Sequence, residues 1–285
     1  MQRSDFRFFE RLRVRWAEID AQQIVFNGHY LTYFDTAIAG YWRALAIPYA
    51  ATMASLGGDM FVRKATLEYL GSARYDDVLD IGMRCGRIGN SSMTFVAGAF
   101  LHDRLLVSGE LVYVFADPEA RGPKPVPAAL RELFEGFEAG APMVEVRVGS
   151  WGEFEAVARP IRAEVFIDEQ RIPAELEWDD ADGDAIHAVA FNRLGRALGT
   201  GRMLEHVPGV AKIGRMAVLA SSRHAGVGRA VLDALLAAAR ERGDREAVLH
   251  AQRAAAPFYE RAGFVRRGPE FDEAGIAHIE MLRVL

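Results

Sequence analysis

The hydrophobic period of this chain changes twice before residue 116, and this limits the folds open to it more than any other feature. Glu10-Arg11-Leu12-Arg13-Val14-Arg15-Trp16 alternates strictly, with arginines on one side and Leu12, Val14 and Trp16 on the other, as a strand with one buried face does. From Tyr30 to Ala46 bulky residues return at three- and four-residue steps: Tyr30, Tyr33, Phe34, Ala37, Ile38, Tyr41, Trp42 and Leu45. That spacing predicts an amphipathic helix with an aromatic face, capped by Asn27 or Gly28 and ended by Pro48. The period then returns to two over 61–70, 78–88, 92–101 and 105–115. One strand, one long helix and four successive strands predict an antiparallel sheet wrapped round a central helix.

The pattern breaks at 117–127, where four prolines and a glycine interrupt it. A short helix at 128–137 and a linker at 138–142 follow, so the chain is expected to fold as two domains, 1–137 and 143–285. In the second stretch the pattern predicts a strand to Val148, a helix at 152–166 and strands at 185–192, 197–206 and 212–219. A helix at 227–242, a strand at 247–251, a short helix at 257–262 and two last strands complete it. The expected class is α+β, with a mixed α/β second domain.

Composition narrows the function. The 285 residues carry a formal charge of −5, which argues against nucleic acid as a partner. No apolar run reaches the ~18 residues of a membrane span, and the first residues do not read as a signal peptide. The single cysteine, Cys85, has no partner for an internal disulfide, and a reduced, cytoplasmic enzyme is expected. The seven histidines show no ligand spacing, so neither a metal nor a redox cofactor is expected.

Asp20-Ala21-Gln22-Gln23-Ile24-Val25-Phe26-Asn27-Gly28-His29-Tyr30 resembles the active-site segment of the hot-dog acyl-CoA thioesterases of the 4-hydroxybenzoyl-CoA type. The resemblance implies a hot-dog domain with Asp20 as base or nucleophile toward a thioester. Helix-start N–H groups around Asn27, Gly28, His29 and Tyr30 would polarise the carbonyl oxygen, with Ser92 nearby. Read without the family, Asp20 is a loop acid or cap, Ser92 a turn cap and His29 a packed or solvent-facing histidine. The family usually has glycine where Gln23 stands, which leaves the loop's shape open. Hot-dog domains usually dimerise, so a homo-oligomer is expected.

Between strand 212–219 and helix 227–242 lies Arg223-His224-Ala225-Gly226-Val227-Gly228-Arg229. Two glycines one residue apart at a strand-to-helix junction permit a tight turn whose N–H groups can cradle phosphate. About thirty residues on comes Pro257-Phe258-Tyr259-Glu260-Arg261-Ala262-Gly263-Phe264. The two together resemble the GCN5-related N-acetyltransferases (GNAT). The resemblance implies that Met216, Ala217 and Val218 pair with the pantetheine arm of acetyl-CoA and that 223–229 holds its pyrophosphate. Tyr259 would protonate the departing thiolate. The base that takes the amine's proton is not evident. Glu175, Glu177, Asp179, Asp180, Asp182 and Asp184 form either a lure for a cationic amine or a solvated acidic loop, and Glu205, His206, His250 and Glu280 are further candidates. The expected whole is a bifunctional enzyme with acyl-CoA or acetyl-CoA as substrates, one half passing the acyl group to water and the other to an amine. The alternative keeps one half catalytic, with the other an acyl-CoA sensor or a dimerisation scaffold.

Overall fold

The computed structural model describes residues 1–120 and 122–285 and divides them into two compact units, Met1–Met143 and Val144–Leu285.

In the first unit, β1 (Phe8–Arg13) leads through an irregular stretch to α1 (His29–Ala44) and α2 (Tyr49–Leu56). Strands β2 (Asp59–Tyr69), β3 (Val78–Ile88), β4 (Ser92–Leu101) and β5 (Arg104–Ala116) and helix α3 (Ala128–Glu138) complete it. The five strands form one antiparallel sheet in the order β1-β3-β4-β5-β2, which leaves β2 on an edge. The aromatic stripe of α1 is what the sheet wraps: Tyr30, Tyr33, Phe34 and Tyr41 are all buried. Burying a ring of this size contributes about 1.5–3 kcal/mol. Gly109 on β5 makes room for Phe34, since a methyl group there would stand 2.5 Å from the ring. Helix α3 seals the far end of α1, with Phe134 stacked on Tyr41 at 6.0 Å and edge-on to Trp42 at 5.2 Å. Glu138, expected to open a linker, is the last residue of α3, and its carboxylate accepts from Tyr41 Oη and from the Cys85 N–H.

The second unit runs β6 (Val144–Gly149), α4 (Trp151–Arg162), a π-helical turn (Ala163–Glu169) and α5 (Ala174–Glu177). It continues through β7 (Ile186–Asn192), β8 (Ala197–Val207), β9 (Val210–Val218), α6 (Val227–Arg242) and β10 (Glu246–Gln252). The last elements are α7 (Ala256–Arg261), β11 (Val265–Glu273) and β12 (Ile276–Val284). The sheet order is β11-β12-β10-β9-β8-β7-β6, and β9–β10 is the parallel pair. Helix α6 covers one face, packing Val231 and Leu235 over Gly201, while α4 covers the other through Phe154, Ala158 and Val189.

Three expectations shift. Trp16 does not end a buried strand face: the chain leaves the sheet after Arg13, and Trp16 is 69% exposed in a short 3-10 turn. Pro48 does not only close α1, because it also caps the unexpected helix α2. The predicted 152–166 helix changes character after Arg162, two residues past Pro160, and continues as a π turn.

Candidate functional sites

In the first unit, Glu18 to Phe26 folds back on itself as a small hairpin. The Phe26 N–H donates to Glu18 O at 2.9 Å, Ile19 bridges Val25, and the Asp20 N–H donates to Ile24 O at 2.9 Å. Asp20 sits at the tip. One carboxylate oxygen accepts the Gln22 N–H at 2.8 Å, and the other has no partner in the chain among the described residues. Gln23 closes the turn at φ +62°, the left-handed conformation that glycine adopts freely. Gln23 therefore supplies by strain the conformation a glycine would give without it.

The hairpin is held by a residue not singled out in the sequence. Glu18 is 3% exposed, and its carboxylate accepts the Arg15 N–H at 2.7 Å and the Tyr33 hydroxyl at 2.8 Å, with the Arg15 guanidinium beside it. Burial pushes its pKa up, but the bonds from Arg15 and Tyr33 outweigh that and hold it below the ordinary value. The one signal available was an acid two residues before Asp20. On the other side, Ala73 clamps the segment: its carbonyl accepts the Val25 N–H, and its own N–H donates to Tyr30 Oη at 3.2 Å.

Of the four expected helix-start donors, the first two are open and the last two are taken. The N–H groups of His29, Tyr30 and Leu31 are taken by the carbonyls of Phe26, Asn27 and Gly28. Those of Asn27 and Gly28, both on the exposed surface, have no acceptor among the described residues. His29 rests edge-on against Phe26 at 5.9 Å, and Tyr30 is buried with its hydroxyl committed to Ala73. Ser92 is not brought to this place within one chain. It opens β4 beside Gly89, at the end of the sheet where β3 finishes, whereas the Asp20 hairpin belongs to the end where β3 begins. The eleven residues of β3 separate those ends by about 35 Å at ~3.3 Å per residue. Sequence pattern put Ser92 at a strand start correctly but carries no information on which end of the sheet that start occupies.

In the second unit, the parallel pair opens into a fork. β9 and β10 are in register from Val210 with Glu246 to Ile213 with Leu249, and then pairing stops although both strands continue. The cause is a bulge: Thr200 faces Ala217 but Arg202 faces Gly214, and Arg215 takes φ +51° to absorb the extra residue. Met216, Ala217 and Val218 therefore form one side of the fork, their outer edge toward β10 released from pairing.

Beyond the fork, His224 at φ +67° and Gly226 at φ +78° turn the chain into α6. From His224 through Arg229 six consecutive N–H groups have no acceptor among the described residues, the first carbonyl bond being Ala230 N–H to Gly226 O. Such a run at a helix start is an anion cradle by geometry and by the sign of the helix dipole. The flanking arginines make ion pairs within the chain. Arg223 grips Glu169 with two bonds of 2.8 and 2.6 Å and donates to Val218 O, and Arg229 pairs with Asp233 at 2.7 Å. A methyl group at Gly228 would touch the Phe258 ring at 3.7 Å, which puts α7 beside the cradle. Its neighbour Tyr259 is buried with Phe258 and Phe264 around the ring, and burial pushes the phenol up to about 12. The phenol thus keeps its proton throughout the neutral range.

The acidic loop is solvated only in part, since Glu177 and Asp182 are buried. Arg162, 1% exposed, donates to Glu177 at 2.5 Å and Asp182 at 2.8 Å. Arg202 joins Asp179 to Asp182, and Arg215 bridges Glu177 and Asp179. Three arginines neutralise three carboxylates, and Trp151 and Trp178 cover the Arg162 guanidinium at 5.2 and 4.9 Å. Glu175, Asp180 and Asp184 remain exposed outside this cluster. Ordinary sequence pattern cannot show it, because the arginines come from three other elements.

The thioesterase-superfamily profile matches residues 22–108, and the acetyltransferase (GNAT) domain profile matches 155–285. The chain belongs to both families. Its GNAT part is 39% identical over 124 residues to the uncharacterized N-acetyltransferase YjcF of Bacillus subtilis, covering 43% of this chain and 87% of that one. Its thioesterase part is 28% identical over 125 residues to the acyl-CoA thioester hydrolase YbgC of Escherichia coli, covering 44% of this chain and 92% of that one. The DHNA-CoA thioesterase of Staphylococcus aureus overlaps 46% of this chain and 90% of its own at 18% identity and a TM-score of 0.42. The first unit is thus a hot-dog thioesterase domain and the second a GNAT domain. Among the described residues of the two domains, no helix is long and apolar enough to cross a membrane, and no three His, Cys, Asp or Glu side chains gather as a metal site would require.

Proposed function

We propose that the chain is a bifunctional CoA-thioester enzyme, with residues 1–137 hydrolysing acyl-CoA and residues 143–285 passing an acetyl or acyl group from CoA to an amine. One observation carries the reading. Each unit presents backbone N–H groups without acceptors, Asn27–Gly28 in one and His224–Arg229 in the other, on the same segment or packed cluster as a group suited to move a proton. In the thioesterase unit the Asn27 and Gly28 N–H groups polarise the thioester oxygen, while the open oxygen of Asp20 attacks the carbonyl or activates water. In the GNAT unit the six N–H groups hold the pyrophosphate, the fork edge of 216–218 takes the pantetheine arm, and Tyr259 protonates the departing sulfur. Arg223 acts as a tie between the loop and the π turn. Edge strand β2, with Phe61, Val62 and Tyr69 exposed, supports assembly as a homo-oligomer through the hot-dog unit.

Free-thiol release from short, medium, long and aromatic acyl-CoAs tests this, for wild type, Asp20→Asn and Tyr259→Phe, with and without amine. The expected result is thiol release without amine that falls about 10²-fold or more in Asp20→Asn only. Amine-dependent release should fall in Tyr259→Phe only. Indifference of amine-free release to Asp20→Asn would leave the hot-dog unit as a scaffold.

A further inference from the structure

The β10 side of the fork ends in a histidine with a carboxylate behind it. His250 is the first β10 residue past the last parallel pair, Ile213 with Leu249. Alternation puts it on the face of Gln252, whose amide donates to Gln170 at 2.7 Å just after the π turn. Arg215, on β9 past the fork, reaches Glu177 and Asp179 on that same side. His250 therefore stands at the mouth of the fork, on the face opposite α6.

Its surroundings are polar and directional. His250 Nδ1 lies 3.1 Å from Glu273 Oε2, and the ring meets Phe271 edge-on at 4.9 Å. Glu280, its cross-strand neighbour, holds one oxygen 4.0 Å from Nε2 and the other on Arg267 at 2.5 Å. With Nδ1–H donated to Glu273, Nε2 carries the lone pair. A gap of 4.0 Å is too long for a hydrogen bond, yet a nitrogen at ordinary hydrogen-bond distance from both Nε2 and the Glu280 oxygen fits beside it. The Glu273 and Glu280 carboxylates both lie beside the ring, which favours an ammonium there and repels a substrate carboxylate.

On the acetyltransferase reading, we propose that His250 is the base that accepts the proton of an aliphatic primary ammonium lacking a neighbouring carboxylate, with Glu273 as its positioning residue. The ammonium gives one proton to Nε2, and the freed nitrogen attacks the acetyl carbon. The C–N bond forms as the C–S bond breaks. The proton then shed by nitrogen balances the one Tyr259 gives the sulfur, and the proton on His250 passes to solvent. Of the other candidates, Glu280 shares this pocket as the second partner of the ammonium, whereas Glu205 faces Ala211, which pairs with Ala247, about 10 Å back along β10 at ~3.3 Å per residue.

The test is acetyl transfer from acetyl-CoA to butylamine, 1,4-diaminobutane and glycine by wild type, His250→Ala, Glu273→Gln and Glu205→Gln. Acetyl-CoA affinity is read by calorimetry and folding by melting temperature. Transfer to the two amines over glycine is expected, with kcat down about 10²- to 10³-fold in His250→Ala. That variant should keep its melting temperature and acetyl-CoA affinity and regain rate when imidazole is added. Glu273→Gln should lower kcat and leave the amine KM in place, and Glu205→Gln should match wild type. If wild type acetylates an amine but His250→Ala keeps kcat within about threefold, or imidazole restores nothing, the assignment of His250 falls alone. If glycine is the preferred acceptor, the amine class is wrong. A wild type that binds acetyl-CoA and acetylates none of the three overturns this assignment together with the transferase reading.

Discussion

At the residue scale, the thioesterase hairpin depends on two side chains doing unlike things. Gln23 holds a left-handed turn that costs a non-glycine residue about 1–2 kcal/mol, while glycine loses about 0.5–1 kcal/mol of chain entropy. Gln23→Gly should therefore be neutral or stabilising by up to about 1 kcal/mol, and Gln23→Val destabilising by a similar amount or more, as read from urea midpoints. Glu18 works through charge. Its folded pKa lies below its unfolded one, so its contribution is fully present above the ordinary carboxylate value of 4.5 and is lost as pH falls through the lower, folded value. Melting temperatures taken from pH 6 to pH 3 should fall more steeply in wild type than in Glu18→Gln, and equal slopes would remove Glu18 from its anchoring role. The place of Asp20 in the loop before α1 was legible from its motif. Its anchor was not, because an acid two residues earlier becomes meaningful only once Tyr33, one turn into α1, is seen to reach it.

At the scale of elements, periodicity located the long helix and the strands of the first unit because their apolar residues recur at helical or strand spacing. It failed where a residue serves two elements. Pro48 ends one helix and caps the next, and Pro160 lets an apparently continuous helix pass into a π turn. Register across the sheet lay beyond it altogether, which is why Ser92 was placed with Asp20 and found at the opposite end. Edge strand β2 carries its own expectation. Its exposed apolar residues suit pairing with a second copy, so light scattering should give a dimer for wild type and a monomer for Val62→Asp. A monomeric wild type at tens of micromolar would mean that β2 pairs with nothing.

For the molecule as a whole, two units of similar length belong to two families, and the proposed function gives both the same need, a CoA thioester and somewhere for its acyl group to go. The hot-dog family was readable from the Asp20 segment and the GNAT family from the 223–229 and 257–264 motifs taken together, since those motifs encode local backbone turns. What surrounds each motif was not, since the Arg162 cluster and the Glu169–Arg223 pair join residues from distant parts of the chain. The cradle before α6 has a consequence visible without any substitution. Six amides in a row without a carbonyl to hold them should trade hydrogen for deuterium at close to open-chain speed, while the neighbouring turns of α6 trade slowly. Desulfo- or dephospho-CoA that keeps the pyrophosphate should slow all six together, and pantetheine alone should slow none, writing the outline of the bound phosphate directly into the exchange pattern.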